Sequence, residues 1–189
     1  MTRLAEGVRP RGALSSFPLS RVYQLIEPGP VVLLTTAHRD AANVMTMSWH
    51  MMVDFTPPLL ACVVSQANHS FTALKATRAC VIAIPTRRLA RTVVAIGNCS
   101  GRDVDKFAAF KLKTAPAKRV AAPLLPDCFA NLECEIADAR LVKDYNLFVL
   151  RVLKAWKDPA AENPKTLHHR GYGQFAVDGA LLRLPSDKP

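Results

Sequence analysis

The chain has 189 residues, of which 50% are hydrophobic and 21% charged. That balance suits one compact domain with a substantial core and excludes a disordered, charge-dominated tail. A net charge of +10 keeps nucleic acid or another polyanion in view as a partner. No apolar run nears the roughly 20 residues of a membrane-spanning helix, and residues 1–18 lack the apolar stretch of a signal peptide. The expectation is a soluble, cytoplasmic protein with no membrane partner. The five cysteines, Cys62, Cys80, Cys99, Cys128 and Cys134, are odd in number and without metal-ligand spacing, so all are expected to be reduced thiols.

In chain order, residues 1–20, with Pro10, Gly12 and Pro18, read as an N-terminal arm to a domain over 21–189. Leu19 to Ile26 predicts a short helical turn before the Pro28-Gly29-Pro30 break. Val31 to Thr36 predicts a buried strand, His38 to Ala42 a turn, and Val44 to Val53 a second extended piece. Pro57-Pro58 interrupts, and Leu59 to Val64 gives another apolar strand. A helix is expected over Ser70 to Thr77, a strand over Cys80 to Ile84, and a helix over Arg87 to Ile96 with Leu89, Val93 and Ile96 or Val94 on its apolar side. Asp103 to Phe110 predicts a short helix with Asp103 as its N-cap. Residues 114–128, with three prolines, should be irregular. Phe129 to Val142 and Phe148 to Trp156 are the late strands, and the last 30 residues alternate glycine turns with short extended pieces. Strands outnumber helices and no βα alternation appears, so the expected fold is mainly β with flanking helices, a small barrel and not a Rossmann sheet. The Gly97-to-Gly101 loop is no dinucleotide fingerprint.

Charge is unevenly placed. Residues 85–120 carry nine basic side chains against Asp103 and Asp105, while residues 41–65 hold a single charge, Asp54. In that neutral stretch, Asn43, Thr46 and Ser48 alternate with Val44, Met45, Met47 and Trp49. Apolar faces with amide and hydroxyl donors suit a planar heteroaromatic ring with a polar edge; the alternative is a strand whose polar residues face water. Ser65 to Phe71 joins a strand to a helix, placing Asn68, His69 and Ser70 where free amides and the helix dipole favour an anion such as phosphate, or where they simply cap the helix. Arg102 and Lys106, four apart, can neutralise a phosphate or be solvated surface charges. No catalytic triad or metal cluster stands out. His168 and His169 are adjacent, so on a strand they face opposite ways and cannot share an ion.

The order Pro30-Val31-Val32-Leu33-Leu34-Thr35-Thr36, Asn43-Val44-Met45-Thr46-Met47-Ser48-Trp49, Pro57-Pro58-Leu59, His69-Ser70-Phe71, Ser100-Gly101-Arg102-Asp103-Val104-Asp105-Lys106-Phe107 and Leu132-Glu133-Cys134 resembles the flavin reductase-like (flavoredoxin-type) family of FMN-binding split barrels. The resemblance spans roughly residues 28–157, with an echo in Leu167 to Gly171. It implies an antiparallel Greek-key split β-barrel of about six strands, and a homodimer with FMN near the interface. It also implies that Asn43, Met45, Thr46, Met47, Ser48 and Trp49 line the ring and ribityl chain. Cys62 and Ser65 would lie beside the flavin, His69, Ser70 and Phe71 at its phosphate or ribityl end, and Lys106, with Arg102, would supply counter-charge. One departure is the late turn Lys143-Asp144-Tyr145-Asn146, where the family often has His and Tyr145 stands instead.

The function expected is an NAD(P)H-dependent flavin reductase: NADH or NADPH gives a hydride to bound FMN, which passes electrons to a small-molecule or protein acceptor. The cofactor carries the chemistry, so no side chain need be an acid or base. An electron-transfer module without NAD(P)H turnover is the alternative. A basic nucleic-acid-binding barrel is weaker, because no aromatic–basic surface strand accompanies the charge.

Overall fold

The computed structural model describes residues 14–186. An eight-stranded antiparallel sheet dominates it: β1 (Ser15–Phe17), β2 (Val32–His38), β3 (Ala41–Met47), β4 (His50–Phe55), β5 (Pro58–Val63), β6 (Ala79–Ile84), β7 (Ala130–Asp138) and β8 (Leu147–Lys157). The hydrogen-bonded order is β3-β2-β6-β7-β8-β5-β4, with β1 on β8. The two ends of this path, β3 and β4, are consecutive in sequence and joined only by Ser48 and Trp49. The three Cα steps from Met47 to His50 span at most about 11 Å, so the sheet must curl until its ends nearly meet; the Val63 N–H bonding the Trp49 carbonyl at 3.0 Å carries the β4–β5 pairing into this corner. The result is the expected split barrel, with more strands than the six or so anticipated. The expected continuous strand from Val44 to Val53 is instead two strands broken at this corner.

Side chains on β2 point alternately inward and outward, and both faces are buried. Val32 and Leu34 join Leu60, Cys62, Ile82, Leu132, Phe148 and Leu150 inside the barrel. Leu33 packs outward with Val44 and Ala83 against Val93 and Ile96 of α3. Burial on both faces explains the unbroken apolar run from Val31 to Leu34. The helices are short: α1 (Tyr23–Ile26), α2 (Ser70–Thr77), α3 (Ala90–Gly97), α4 (Lys106–Ala109) and α5 (Val142–Tyr145). A hairpin, β9 (Leu167–Gly171) and β10 (Gln174–Val177), follows the sheet. Of the expected arm, Ser15 to Phe17 lie on the barrel, opposite Lys157 to Ala155; residues 1–13 fall outside the described part.

Other boundaries also differ from expectation: the helix expected over Arg87 to Ile96 is a 3-10 turn over Arg87–Leu89 followed by α3 from Ala90. α4 starts three residues late: the Asp103 and Val104 N–H groups bond the Ser100 carbonyl in a turn. Asp105, not Asp103, is the N-cap, its Oδ1 accepting from the Phe107 and Ala108 N–H groups at 3.0 and 3.2 Å. Strand β7 ends at Asp138, not Val142, because Asp138 bonds the Arg140 side chain and closes a turn. The irregular segment over 114–128 is held by buried polar side chains of the sheet. Asn131 exchanges two hydrogen bonds with the Leu125 backbone. Glu133, fully buried, accepts from the Lys118 and Arg119 N–H groups and from Trp156 Nε1. Replacing Glu133 with Ala leaves those three donors unmet and is expected to cost about 2–4 kcal/mol. Urea unfolding measures this, and a loss under about 0.5 kcal/mol would show that Glu133 does not hold the segment.

Candidate functional site

Strand β3 closes one end of the sheet path, so among the described residues its second edge has no strand partner, and every other residue there presents its N–H and C=O outward. Along this edge lie two adjoining pockets that share Thr46, Gly97 and Asn98. The wide pocket, about 310 Å³, is walled by Val31, Val93, Val94 and Phe175, with Thr46, Ser48, Asn98 and His169 as its polar groups. The basic pocket, about 280 Å³, is lined by Asn43, Met45, Asn68, His69, the loop from Asn98 to Gly101, and Lys106. Thr46 ties strand to helix, its Oγ1 donating to the Val93 carbonyl at 2.6 Å. That bond sets the spacing between β3 and α3.

The far wall of the wide pocket is the β9–β10 hairpin. The Val31 N–H bonds the Leu167 carbonyl at 2.6 Å, and His168 lies against the loop before β2, with Nδ1 3.2 Å from the Gly29 carbonyl and Nε2 2.7 Å from Asp178 Oδ1. His169 points the other way, its ring 5.4 Å from that of Phe175 and exposed to the pocket. The two histidines diverge as the strand pleat requires.

In the basic pocket the decisive group is Lys106. Its side chain is only 4% exposed and Nζ donates to the Ile96 carbonyl near the end of α3 at 3.0 Å. Among the described residues no carboxylate lies within ion-pair distance of it. Burial holds its pKa below the ordinary lysine value, an effect that the nearby Cys99 partly offsets. A buried cation without a counter-ion is costly unless an anion completes the site. Across from it, His69, the residue before α2, makes no side-chain cap; the Phe71 N–H bonds the Asn68 carbonyl, and the other N–H groups of the first turn have no side-chain acceptor among the described residues. Asn43 Nδ2 donates to Ser70 Oγ at 2.8 Å, and Gly101 packs so closely that a Cβ there would sit 2.0 Å from Asn43 Oδ1 and 2.9 Å from His69 Cδ2.

Of the residues singled out from sequence, Asn43, Met45, Thr46, Met47, Ser48, His69 and Lys106 line the two pockets. Ser70 lies buried beneath them, and Phe71 packs into the barrel against Phe148, ring centres 5.7 Å apart. The others are elsewhere. Cys62 is in the barrel core, where burial pushes its thiol pKa up, and Ser65 is in an exposed turn, accepting from the Ala67 N–H. Arg102 is exposed and, because α4 starts late, does not share a helix face with Lys106. Trp49 at the corner and Tyr145 on α5 are 71% and 66% exposed and line neither pocket. Sequence reasoning missed Asn98, His169 and Phe175 as pocket walls; the glycines flanking them, Gly97, Gly101, Gly171 and Gly173, were the available signal. Among the described residues no group of ligands could hold a metal, and no helix is long and apolar enough to cross a membrane.

The fold and pockets define a split barrel that presents an open strand edge beside a buried cation. The chain belongs to the flavin reductase-like family, whose domain model matches residues 25–176. It is 30% identical over 141 residues to an uncharacterised protein of Archaeoglobus fulgidus, covering 71% of this chain and 80% of that one. It is 28% identical over 175 residues to the uncharacterised protein YddH of Escherichia coli, covering 85% and 93%. Among solved structures it is similar to an FMN-binding domain of a flavin reductase-like enzyme from Shewanella baltica, with TM-score 0.88, 24% identity and coverage of 94% and 100%. It also resembles flavoredoxin of Desulfovibrio vulgaris, with TM-score 0.76, 22% identity and coverage of 82% and 90%.

Proposed function

We propose that this chain binds FMN in the two adjoining pockets and works as an NAD(P)H-dependent flavin reductase. The observation that carries the reading is Lys106, a buried cation lacking a carboxylate partner among the described residues, at the end of a neutral groove along an open strand. The residues present fit FMN: Lys106, Asn68 and the start of α2 suit the phosphate, and Thr46, Ser48 and the free β3 backbone suit the polar edge of the ring. Val31, Val93 and Phe175 would shield its faces from water. When bound, FMN supplies the hydride chemistry itself. The chain orients it and places no Asp, Glu, Lys or Arg in the described lining of the ring pocket.

A homodimer is part of the proposal. Strand β4 turns Met51, Val53 and Phe55 outward, 61%, 46% and 52% exposed, next to Trp49. A contiguous apolar stripe on a strand's outer face marks a surface that another protein covers, and it begins at the corner that ends the flavin groove. Replacing both Met51 and Val53 with Asp is expected to give a monomer, read by light scattering after gel filtration; an unchanged mass would remove the stripe from the interface.

The test of function is reconstitution with FMN followed by anaerobic addition of NADH and NADPH. Retained yellow flavin that bleaches within seconds with either donor supports the reductase. Flavin reduced only by a protein donor makes the chain an electron-transfer module, and a colourless protein sinks the site altogether.

A further inference from the structure

The loop that leads into β2 has few groups by which it can be held. Pro28 and Pro30 carry no N–H, and the Gly29 N–H turns back to the Ile26 carbonyl at 3.0 Å. Two imidazoles take the carbonyls that remain. His50 Nε2 lies 2.6 Å from that of Pro30, and His168 Nδ1 lies 3.2 Å from that of Gly29. Val31 follows directly; it walls the ring pocket and bonds the β9–β10 hairpin at Leu167. That hairpin supplies His169, Gly173 and Phe175 to the same pocket.

The two imidazoles differ in what meets the second nitrogen. His50 Nδ1 is buried without a hydrogen-bond partner among the described residues, and burial lowers its pKa against the opposing effect of the Pro30 carbonyl. A second proton there would have no acceptor, so His50 stays neutral and its hold does not change from neutral pH upward. His168 is the reverse case. Its Nε2 lies 2.7 Å from Asp178 Oδ1, and an ionised carboxylate only accepts. Thr166 Oγ1, 3.1 Å from the same nitrogen, gives its single proton to Asp178 Oδ2 at 2.5 Å and therefore accepts as well. Both nitrogens of His168 thus face acceptors, and only the imidazolium can donate to both.

The surroundings favour that charge. Burial works to raise the Asp178 pKa, but the hydrogen bonds from Thr166 and His168 outweigh it and hold the carboxyl below its ordinary range. Among the described residues Asp178 is the one charged side chain within ion-pair distance of His168. Of the charged groups nearby in the chain, Lys165 bonds the Gly179 carbonyl, while Glu27 and Arg170 are exposed. His169 turns to the pocket.

We propose that His168 and Asp178 form a proton-dependent latch that positions the pocket wall. Protonated, His168 pins the hairpin to the Gly29 carbonyl. As pH rises the ring keeps one N–H, the shorter bond to Asp178 retains it, and the Gly29 contact is lost. The wall that carries His169 and Phe175 then loosens. What the wall encloses rests on the flavin reading above; the latch does not.

The Val31 N–H, bonded across the joint to Leu167, reports the latch. Its hydrogen exchange is followed by NMR in the flavin-free protein and corrected for the intrinsic effect of pH, while His168 is titrated through its ring signals. Protection should fall about fivefold or more as His168 loses its proton. In His168→Gln and in Asp178→Asn it should change less than about twofold over the same interval. In His169→Gln, which removes the neighbouring imidazole, the fall should persist. Wild-type protection that stays within about twofold overturns the latch, as does a His168 ring that is neutral throughout. So does a fall that survives in either His168→Gln or Asp178→Asn, or one that disappears in His169→Gln. Loss of the latch leaves the flavin reading standing, and a protein that takes no FMN leaves the latch standing.

Discussion

Lys106→Met is expected to weaken FMN binding by about 10- to 100-fold while leaving the fold intact. A hydrogen bond to a charged group contributes about 1.5–3 kcal/mol, and each 1.4 kcal/mol is tenfold in affinity. Among the described residues the buried Lys106 has only the Ile96 carbonyl as partner, so a Met of similar shape removes an uncompensated charge and the apoprotein should unfold at the same temperature or higher. A solvated surface lysine would show neither effect. The pH dependence supplies a second reading. Burial lowers the Lys106 pKa, so the ammonium discharges at lower pH than a free lysine. Phosphate affinity should therefore hold below that lowered value and fall as pH rises through it. Anion binding favours the charged form and raises the pKa again. Near the lowered value the protein should take up part of a proton with the flavin, measurable by calorimetry in buffers of different ionisation enthalpy. Affinity unchanged in Lys106→Met would remove the lysine from the site.

Gly101→Ala is expected to abolish FMN retention on gel filtration and to lower stability by about 1–3 kcal/mol, the usual cost of overpacking. The backbone of Gly101 is not in the left-handed region, so the conflict is purely steric: the new methyl would meet Asn43 Oδ1 at 2.0 Å and Asn43 Cγ at 2.6 Å. Asn43 cannot withdraw cheaply, because it is buried and its amide is bonded to Ser70. The loop from Asn98 to Gly101 must move instead, and with it a wall of the basic pocket. Gly179→Ala, away from both pockets, is the control. A Cβ there meets nothing within 4 Å, so flavin retention should survive. Equal behaviour of the two variants would show that the loop does not shape the site.

Much of this arrangement was legible in the sequence because it is local. The run from Val31 to Thr36, the helix from Ser70 to Thr77 and the alternation from Asn43 to Ser48 each carry their own periodicity, and each lies where expected. Lys106 was legible as a cation near glycines, but its burial was not, since that depends on α3 ending above it. The Asp103 cap was misplaced because Asp-Val-Asp offers two capping carboxylates, and the turn accepted by the Ser100 carbonyl, which decides between them, has no local signature. Cys62 and Ser65 follow the resemblance, yet Cys62 faces the barrel interior and Ser65 sits in a turn. The hairpin wall at His169 and Phe175 depends on contacts with residues more than 130 positions earlier, which no local pattern records. Glu133 looks like an ordinary polar strand position; only the irregular segment folded over it makes it a buried acceptor for three donors.

The pairing of β1 carries a consequence for handling the chain. Strand β8 is bordered on one side by β7, and on the other by β5 along residues 147–151 and by β1 along residues 155–157. The segment that supplies β1 precedes the stretch matched by the family model, which starts at residue 25. Trimming the chain to that boundary would strip a backbone ribbon of its neighbour and leave unsatisfied amides free to recruit a strand from another molecule. A shortened version should form larger aggregates as its concentration rises, whereas one beginning at Leu14 should keep the mass of the full chain.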